Sequence, residues 1–451
     1  MTKDMTSGNP VKLILGFMIP VYLGNIFQQF YNLADAMIAG KFIGVDALAA
    51  IGSTTSLIFL VIGWLNGITS GFAILIAQCF GAGKYDRMRH YLAMSVYLCV
   101  GFVILMTAGL LVFNVPILRM MNAPEDLIGD IAGYLAIIYA GLFVTAAYNG
   151  LAAVLRALGD SRSPLYFLII SAIINVFLDI AFIVYFHMGV EGCGYATVIS
   201  QGISALLCLI YMIKKFSILK LQKRDWEFSV SSASKMLGLG VPMGLQFSIT
   251  AIGTIIVQGA VNVYGAVYMA GFSAAGKIQN IISTIYVAFG ATIATYVGQN
   301  RGAGRMDRVH QGVKVTQTMI LITSIFVMAA VHFGGPFLTT LFIDPGETEA
   351  IQSSLTYFHT VVLFYPFLGS IFLYRNALQG LGYGLVPMMG GVFELVARAA
   401  VIMAIAGRLG FMGVCLSDPM AWLAALIPIV PYYFMKMRKI KLTERTEAAY
   451  D

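Results

Sequence analysis

Charge is what this sequence has least of. Only 11% of its 451 residues are charged and 59% are hydrophobic, where a soluble domain carries roughly 25% charged residues. Such a chain cannot cover itself in water, which excludes a soluble enzyme, scaffold or binding module. Cysteine is scarce and unpatterned. Cys79, Cys99, Cys193, Cys208 and Cys415 are odd in number and none sits in a C-x-x-C, so neither a disulfide framework nor a metal cluster is indicated. They read as small apolar packing residues. The five histidines (His90, His187, His310, His332 and His359) are dispersed and form no histidine–acid pair, and no loop is long enough for a catalytic domain. A membrane-embedded transferase is therefore the weaker alternative.

Apolar stretches recur from end to end, each close to the roughly 20 residues that a bilayer-spanning helix needs. A transmembrane barrel would alternate apolar and polar residues, whereas Leu98 to Val112 is apolar on every face. The runs predict an all-α integral membrane protein with twelve transmembrane helices. They lie near 13–38, 47–79, 90–113, 129–155, 164–187 and 191–213, then near 234–262, 267–299, 310–335, 351–380, 387–408 and 411–435. The first run, from Val11, is too long for a cleavable signal and has no small-residue cleavage pattern, so it reads as the first span.

An even number of spans puts both ends on one side, and the basic residues say which. Alternate loops and the two ends hold 22 of the 28 lysines and arginines, among them Lys3, Lys12, Lys84, Arg87, Arg89, Lys214, Lys215, Arg301, Arg305, Arg308, Lys441 and Arg445. The opposite loops hold Lys41, Arg119 and Arg408, together with Glu125, Asp126, Asp344, Glu347 and Glu349. The positive-inside rule then predicts that both termini are cytoplasmic. The net charge of +7 is read as this asymmetry and not as nucleic-acid binding.

The sequence also repeats. Gln78-Cys-Phe-Gly-Ala-Gly matches Gln299-Asn-Arg-Gly-Ala-Gly at a shift of 221, and Asp86-Arg87 meets Asp307-Arg308 at the same shift. Leu155-Arg-Ala-Leu-Gly159 and Pro164 meet Leu378-Gln-Gly-Leu-Gly382 and Pro387 at 223, and Pro20 meets Pro242 at 222. Six spans separate the copies, which predicts two parallel six-helix bundles around a central cleft. The expected parts are an N-terminal lobe at 1–213, a cytoplasmic linker at 214–235, a C-terminal lobe at 236–435 and a cytoplasmic tail at 436–451. Two equivalent halves suit a transporter that rocks around a central site.

Ionisable residues inside spans are costly and mark function by default. Asp35, Asp179 and Glu394 are the acids clearly inside, with Asp418 nearer an end; Lys277, Arg375 and Arg398 are the bases. Asp35, Asp179 and Thr197 fall at similar depth in the first half, and Asn175 precedes Asp179 by four residues, on one helix face. Two carboxylates, an amide and a hydroxyl can coordinate a small cation such as Na+ through oxygen, or hold a proton. The opposing reading is that each aspartate merely caps a loop or bonds a hydroxyl in a helix contact. In the second half, Glu394 and Arg398 are four apart and are expected to neutralise each other as a static pair. Lys277 and Arg375 are read as structural, or as groups that repel protons or position a substrate anion.

Together these features resemble the prokaryotic branch of the MATE (multidrug and toxic compound extrusion) family over nearly the whole chain. The resemblance rests on Pro20, on Asp35 in Asn32-Leu-Ala-Asp-Ala-Met-Ile-Ala-Gly40, and on the paired Gln-x-x-Gly-Ala-Gly loops. It rests further on Leu155-Arg-Ala-Leu-Gly-Asp160, Asn175-Val-Phe-Leu-Asp179 and Glu394-Leu-Val-Ala-Arg398. It implies a secondary antiporter that exports amphipathic organic cations in exchange for external H+ or Na+, with no cofactor. The cell inner (plasma) membrane and a functional monomer are implied with it.

By the same resemblance, Asp35, Asn175, Asp179 and Thr197 match the family's N-lobe cation site. Gln28, Tyr134 and Asn149 match substrate-cleft residues, and Pro20 matches a bend in the first helix. The seventh and tenth spans offer no acidic match to the C-lobe cation site of some members. The rival expectation is a flippase for lipid-linked sugars or other lipids, which would meet phosphate with cleft cations such as Lys277, Arg375 and Arg398.

Overall fold

The computed structural model describes residues 4–121 and 123–450, without the side chains of residues 36, 45–50, 53 and 441–450. Lys3, residue 451 of the expected tail, and the side chains of Lys441 and Arg445 therefore lie outside the described part. Seventeen α-helices and no strand make up the described residues.

The first half contains α1 (Pro10–Phe42), α2 (Val45–Gly81), α3 (Tyr85–Val112), α4 (Asn114–Met120), α5 (Ile128–Ala140), α6 (Leu142–Ala157), α7 (Arg162–Ile180) and α8 (Gly189–Lys215). The second contains α9 (Val230–Asn262), α10 (Ala266–Gly302), α11 (Met306–Thr340), α12 (Thr348–Val361), α13 (Tyr365–Gly380), α14 (Leu385–Val401), α15 (Gly407–Leu409), α16 (Phe411–Cys415) and α17 (Ser417–Tyr450). Among the described residues eleven segments are long and apolar enough to cross a membrane, and the pair α5–α6 makes a twelfth. The helical architecture and the span count expected from the sequence both hold.

The fourth span is not the single rod that 129–155 suggests. It bends by 45° between α5 and α6. A Cβ on Gly141 at the bend would lie 2.3 Å from Val198 Cγ2, so only glycine lets α8 approach there. The expected span 351–380 likewise contains a short 3-10 turn at Val362–Phe364 between α12 and α13.

The internal repeat is visible in the backbone. Gly83 and Gly304 have φ of 66° and 70°, Gly159 and Gly382 have 86° and 84°, and Gly189 and Gly410 have 61° and 60°. That left-handed region is open to glycine at no steric cost. The π-helical turn Ala181–Tyr185 that follows α7 also recurs, 221 residues on, as Ile402–Ala406 after α14.

The helices pack as two units, one holding Ile19–Gly244, the other Met5–Met18 with the chain from Leu245 onward. These packing boundaries differ from the lobes drawn on the sequence. Segment 214–244 packs with the first unit and 5–18 with the second, and the divisions fall beside Pro20 and Pro242. In the first unit the turn Lys223–Trp226 is pinned to α3. Arg89 Nε lies 3.3 Å from the buried Asp225 carboxylate. The His90 ring spans the Asp225 carbonyl (3.2 Å) and Ser232 Oγ (3.0 Å).

In the second unit the segment entering α1 is held in the same fashion by the repeated loop. The Met5 backbone N–H donates to Gln299 Oε1 at 2.9 Å, and Asn300 Nδ2 donates to the Met5 carbonyl at 3.1 Å. Arg308 Nη2 donates to the carbonyls of Met5 (3.3 Å) and Gly8 (3.0 Å). The helix after the first Gln-x-x-Gly-Ala-Gly loop thus grips the segment that leads into α9, and the second loop with the helix after it grips the segment that leads into α1.

Candidate functional site

The four polar residues singled out in the first half come from three helices. Asp35 lies on α1, Asn175 and Asp179 one turn apart on α7, and Thr197 on α8. α7 packs along α8, and the π turn beginning two residues after Asp179 widens the helix there, as π-bulges often do at functional positions. Asn175 and Asp179 are completely buried.

Thr197 Oγ1 donates to Asp35 Oδ2 at 3.4 Å, which joins α8 to α1. Asp35 and Asp179 are close enough to interact electrostatically, and the Tyr31 and Tyr134 phenols share their surroundings. Among the described residues, Asp35 Oδ1, both polar atoms of the Asn175 amide and both Asp179 carboxylate oxygens are buried without a hydrogen-bond partner. Leaving one buried polar group unpaired costs about 1–3 kcal/mol, and more for a charged one. Four of these five atoms are oxygens, hard ligands that suit a small cation or a proton, while Asn175 Nδ2 can only donate a hydrogen bond.

Three further residues belong to this cluster and escaped the sequence reading. Tyr31 Oη lies 3.4 Å from Ser200 Oγ, which donates to the Thr197 carbonyl at 3.0 Å, and Ser171 Oγ donates to the Ser200 carbonyl at 2.7 Å. The signal was present in the spacing. Ser171, Asn175 and Asp179 recur every fourth residue, Tyr31 precedes Asp35 by four, and such positions share a helix face.

The expected cleft residues divide. Tyr134 on α5 is buried beside the carboxylates. Gln28 is bonded along its own helix to Asn32 at 3.5 Å. Asn149 stands on α6 beyond the Gly141 bend and hydrogen-bonds to none of the four among the described residues. Pro20 lies within α1, where it cannot donate to the Gly16 carbonyl and so leaves a place for bending.

In the second half the pairing differs from the expected static Glu394–Arg398 couple. The closest partner of Glu394 is Arg375 of α13, and the Arg398–Glu394 contact is longer, at 3.6 Å. Arg398 Nε instead donates to Asp418 Oδ1 at 3.1 Å, and Tyr357 Oη donates to Asp418 Oδ2 at 3.0 Å. Arg375, Glu394 and Arg398 are each more than nine-tenths buried. The cause is helix packing: α14 packs along α17 and touches α13, so each of its two charges has a partner across a helix interface. Lys277 is exposed on α10, its ammonium 5.4 Å above the Phe342 ring, and is no part of this network. No group of three or more His, Cys, Asp or Glu able to hold a metal is present among the described residues.

The model of the family described as MatE matches residues 20–183 and 242–403, one copy in each half. "Probable multidrug resistance protein YpnP" of Bacillus subtilis is 29% identical over 435 residues, covering 95% of this chain and 96% of its own. "Probable multidrug resistance protein NorM" of Thermotoga maritima is 25% identical over 93% of this chain and 89% of its own. A crystal structure of MATE in the bent conformation superposes with a TM-score of 0.91 at 21% identity, covering 97% of this chain and 98% of that one. These relatives and structural neighbours are transporters and not enzymes. With the family model covering most of both halves, the chain belongs to the MatE family of membrane-embedded multidrug efflux transporters.

Proposed function

We propose that this protein exports amphipathic organic cations from the cytoplasm in exchange for external protons or sodium ions. In this reading Asp35, Asn175, Asp179 and Thr197 hold the coupling ion. The observation that carries it is the group of five buried polar atoms without protein partners around two carboxylates. Burying charge in an apolar span is tolerated when the charge is paired or neutralised, and a bound cation or proton does both. The relatives' names, multidrug resistance proteins, support the substrate class.

Coupling follows from where the ligands stand. Asp35 is on α1, which Pro20 can bend, while Asn175, Asp179 and Thr197 are on α7 and α8. A cation that links them favours the arrangement of α1 that brings Asp35 to α7, and its release frees that helix. Uptake of the cation from outside then drives substrate out, and the return carries the cation inward. Where net charge moves, a membrane potential adds about 2.3 kcal/mol per charge per 100 mV. Cytoplasmic termini, a bacterial plasma membrane and a functional monomer complete the reading. The lipid-linked alternative asks for free cations to meet phosphate, whereas Arg375 and Arg398 are engaged by Glu394 and Asp418, which leaves it Lys277 of the three expected.

The test is ethidium efflux from proteoliposomes under an imposed pH gradient and then an imposed sodium gradient, with wild type, Asp35→Asn and Asp179→Asn compared. Gradient-driven efflux that disappears in both variants supports the reading, and the effective gradient identifies the ion. Unaltered efflux in both variants removes the site.

A further inference from the structure

We propose that Arg398 is a tethered cation, filling in the second half the position that the exchangeable cation takes in the first, so that the second half binds no coupling ion. The proposal rests on the reading of the Asp35–Asp179 group as a cation site, and on the internal repeat.

At the offset of 223 that relates Pro164 to Pro387, Arg398 takes the place of Asn175. At the offset of 221 that relates Gly189 to Gly410, Asp418 takes the place of Thr197. Between Pro387 and the π turn the second copy is two residues shorter. With either offset Arg398 therefore stays within two residues, or about 3 Å of helix rise, of the Asn175 level. Both copies of the helix end in the same π turn.

The chemistry at this level is inverted between the halves. The first half carries two carboxylates and an amide with no arginine or lysine paired to them among the described residues, and leaves five of their six polar atoms without partners. The second half carries Glu394 and Asp418, and the Arg398 guanidinium contacts both, at 3.6 Å and 3.1 Å. Arg375 faces Glu394 from α13, and Tyr357 faces Asp418 from α12. On the α9 side stands Gly253, where a Cβ would lie 3.0 Å from Arg398 Nη1. A side chain there would crowd the guanidinium, and glycine leaves that space open to it. With two arginines and two acids the network is neutral and needs no ion from solution.

Removing the tethered charge opens the position. Arg398→Gln leaves Asp418 with only the Tyr357 hydroxyl, and the vacated space is bordered by carboxylate and amide oxygens. The test uses the purified full chain carrying Asp35→Asn and Asp179→Asn, which silences the first-half site. Melting midpoints are measured with sodium chloride against choline chloride, and across pH. In this background Arg398→Gln should show a melting midpoint that rises with sodium or proton concentration and saturates, while Arg398 and Arg398→Lys proteins show no such rise. The double change Arg398→Gln/Asp418→Asn should abolish the acquired dependence.

Melting curves of Arg398→Gln that superimpose on those of the Arg398 protein under every cation condition would overturn the proposal. So would a variant that folds in neither medium beside a double variant that folds, because the opened position then accepts no cation. Failure of the first-half reading appears separately, as identical cation responses of wild type and the Asp35→Asn/Asp179→Asn protein.

Discussion

Gly67 of α2 and Gly244 of α9 meet backbone to backbone: a Cβ on Gly67 would lie 2.5 Å from the Gly244 nitrogen. One turn on, a Cβ on Gly71 would lie 2.6 Å from Gly240 Cα. Two glycine pairs at the same four-residue spacing let the helices touch without side chains between them, as small residues do in membrane helix packing. Residues 240–244 of α9, beyond the clasped segment, are thereby seated on α2.

A side chain at that crossing must push the helices apart. Gly67→Val should therefore lower stability by about 1–3 kcal/mol, the usual range for overpacking. Gly101→Ala, where nothing lies within 4 Å of the added Cβ, should raise it by up to about 1 kcal/mol through helix propensity. Melting midpoints of the two variants in the same detergent check the contrast, and equal effects would refute the close crossing.

Asp35 and Asp179 should be indispensable to ion-driven efflux, but Thr197 should be graded. Thr197→Val removes one long hydrogen bond to the Asp35 carboxylate (3.4 Å), about 1 kcal/mol, so apparent affinity for the coupling ion should fall roughly fivefold. Thr197→Ser should retain most of it. Efflux measured against increasing driving-ion concentration separates this from a general loss of transport.

Glu394 without Arg375 is a buried carboxylate short of its closest partner. Arg375→Ala should destabilise by about 3–5 kcal/mol, the cost of breaking a buried pair from one side. Replacing both residues by methionine should cost far less, because no charge is left stranded. A double-mutant cycle on melting midpoints tests this, and additive losses would argue against the pairing.

Arg308 holds the segment before α1 through the carbonyls of Met5 and Gly8. Arg308→Ala should lose about 1.5–3 kcal/mol of charge-assisted hydrogen bonding and loosen that segment. A cysteine introduced by Ser7→Cys should then react faster with a membrane-impermeant maleimide in inside-out vesicles. An unchanged rate would show that Gln299 and Asn300 hold the segment without it.

Much of this protein was legible before folding because its signals are local. An apolar run of membrane length is forced into a helix, since lipid offers its backbone no partners, and this determined the helical fold and the span positions, while the motifs matching at shifts of 221 to 223 gave the repeat. Asp35, Asn175, Asp179 and Thr197 stood out as polar residues in apolar runs, with Ser171 and Tyr31 at the same helical spacing for a closer reading. The partners of Arg375, Glu394, Arg398 and Asp418 were not legible in this way. A membrane helix that is apolar nearly all round has no amphipathic stripe to say which neighbour it meets. The nearest charge in sequence, four residues away, was therefore the natural choice, and the packing of α14 against both α13 and α17 overruled it. The bend at Gly141 and the clasps that divide α1 and α9 between packing units depend equally on distant contacts, which only the tertiary structure decides.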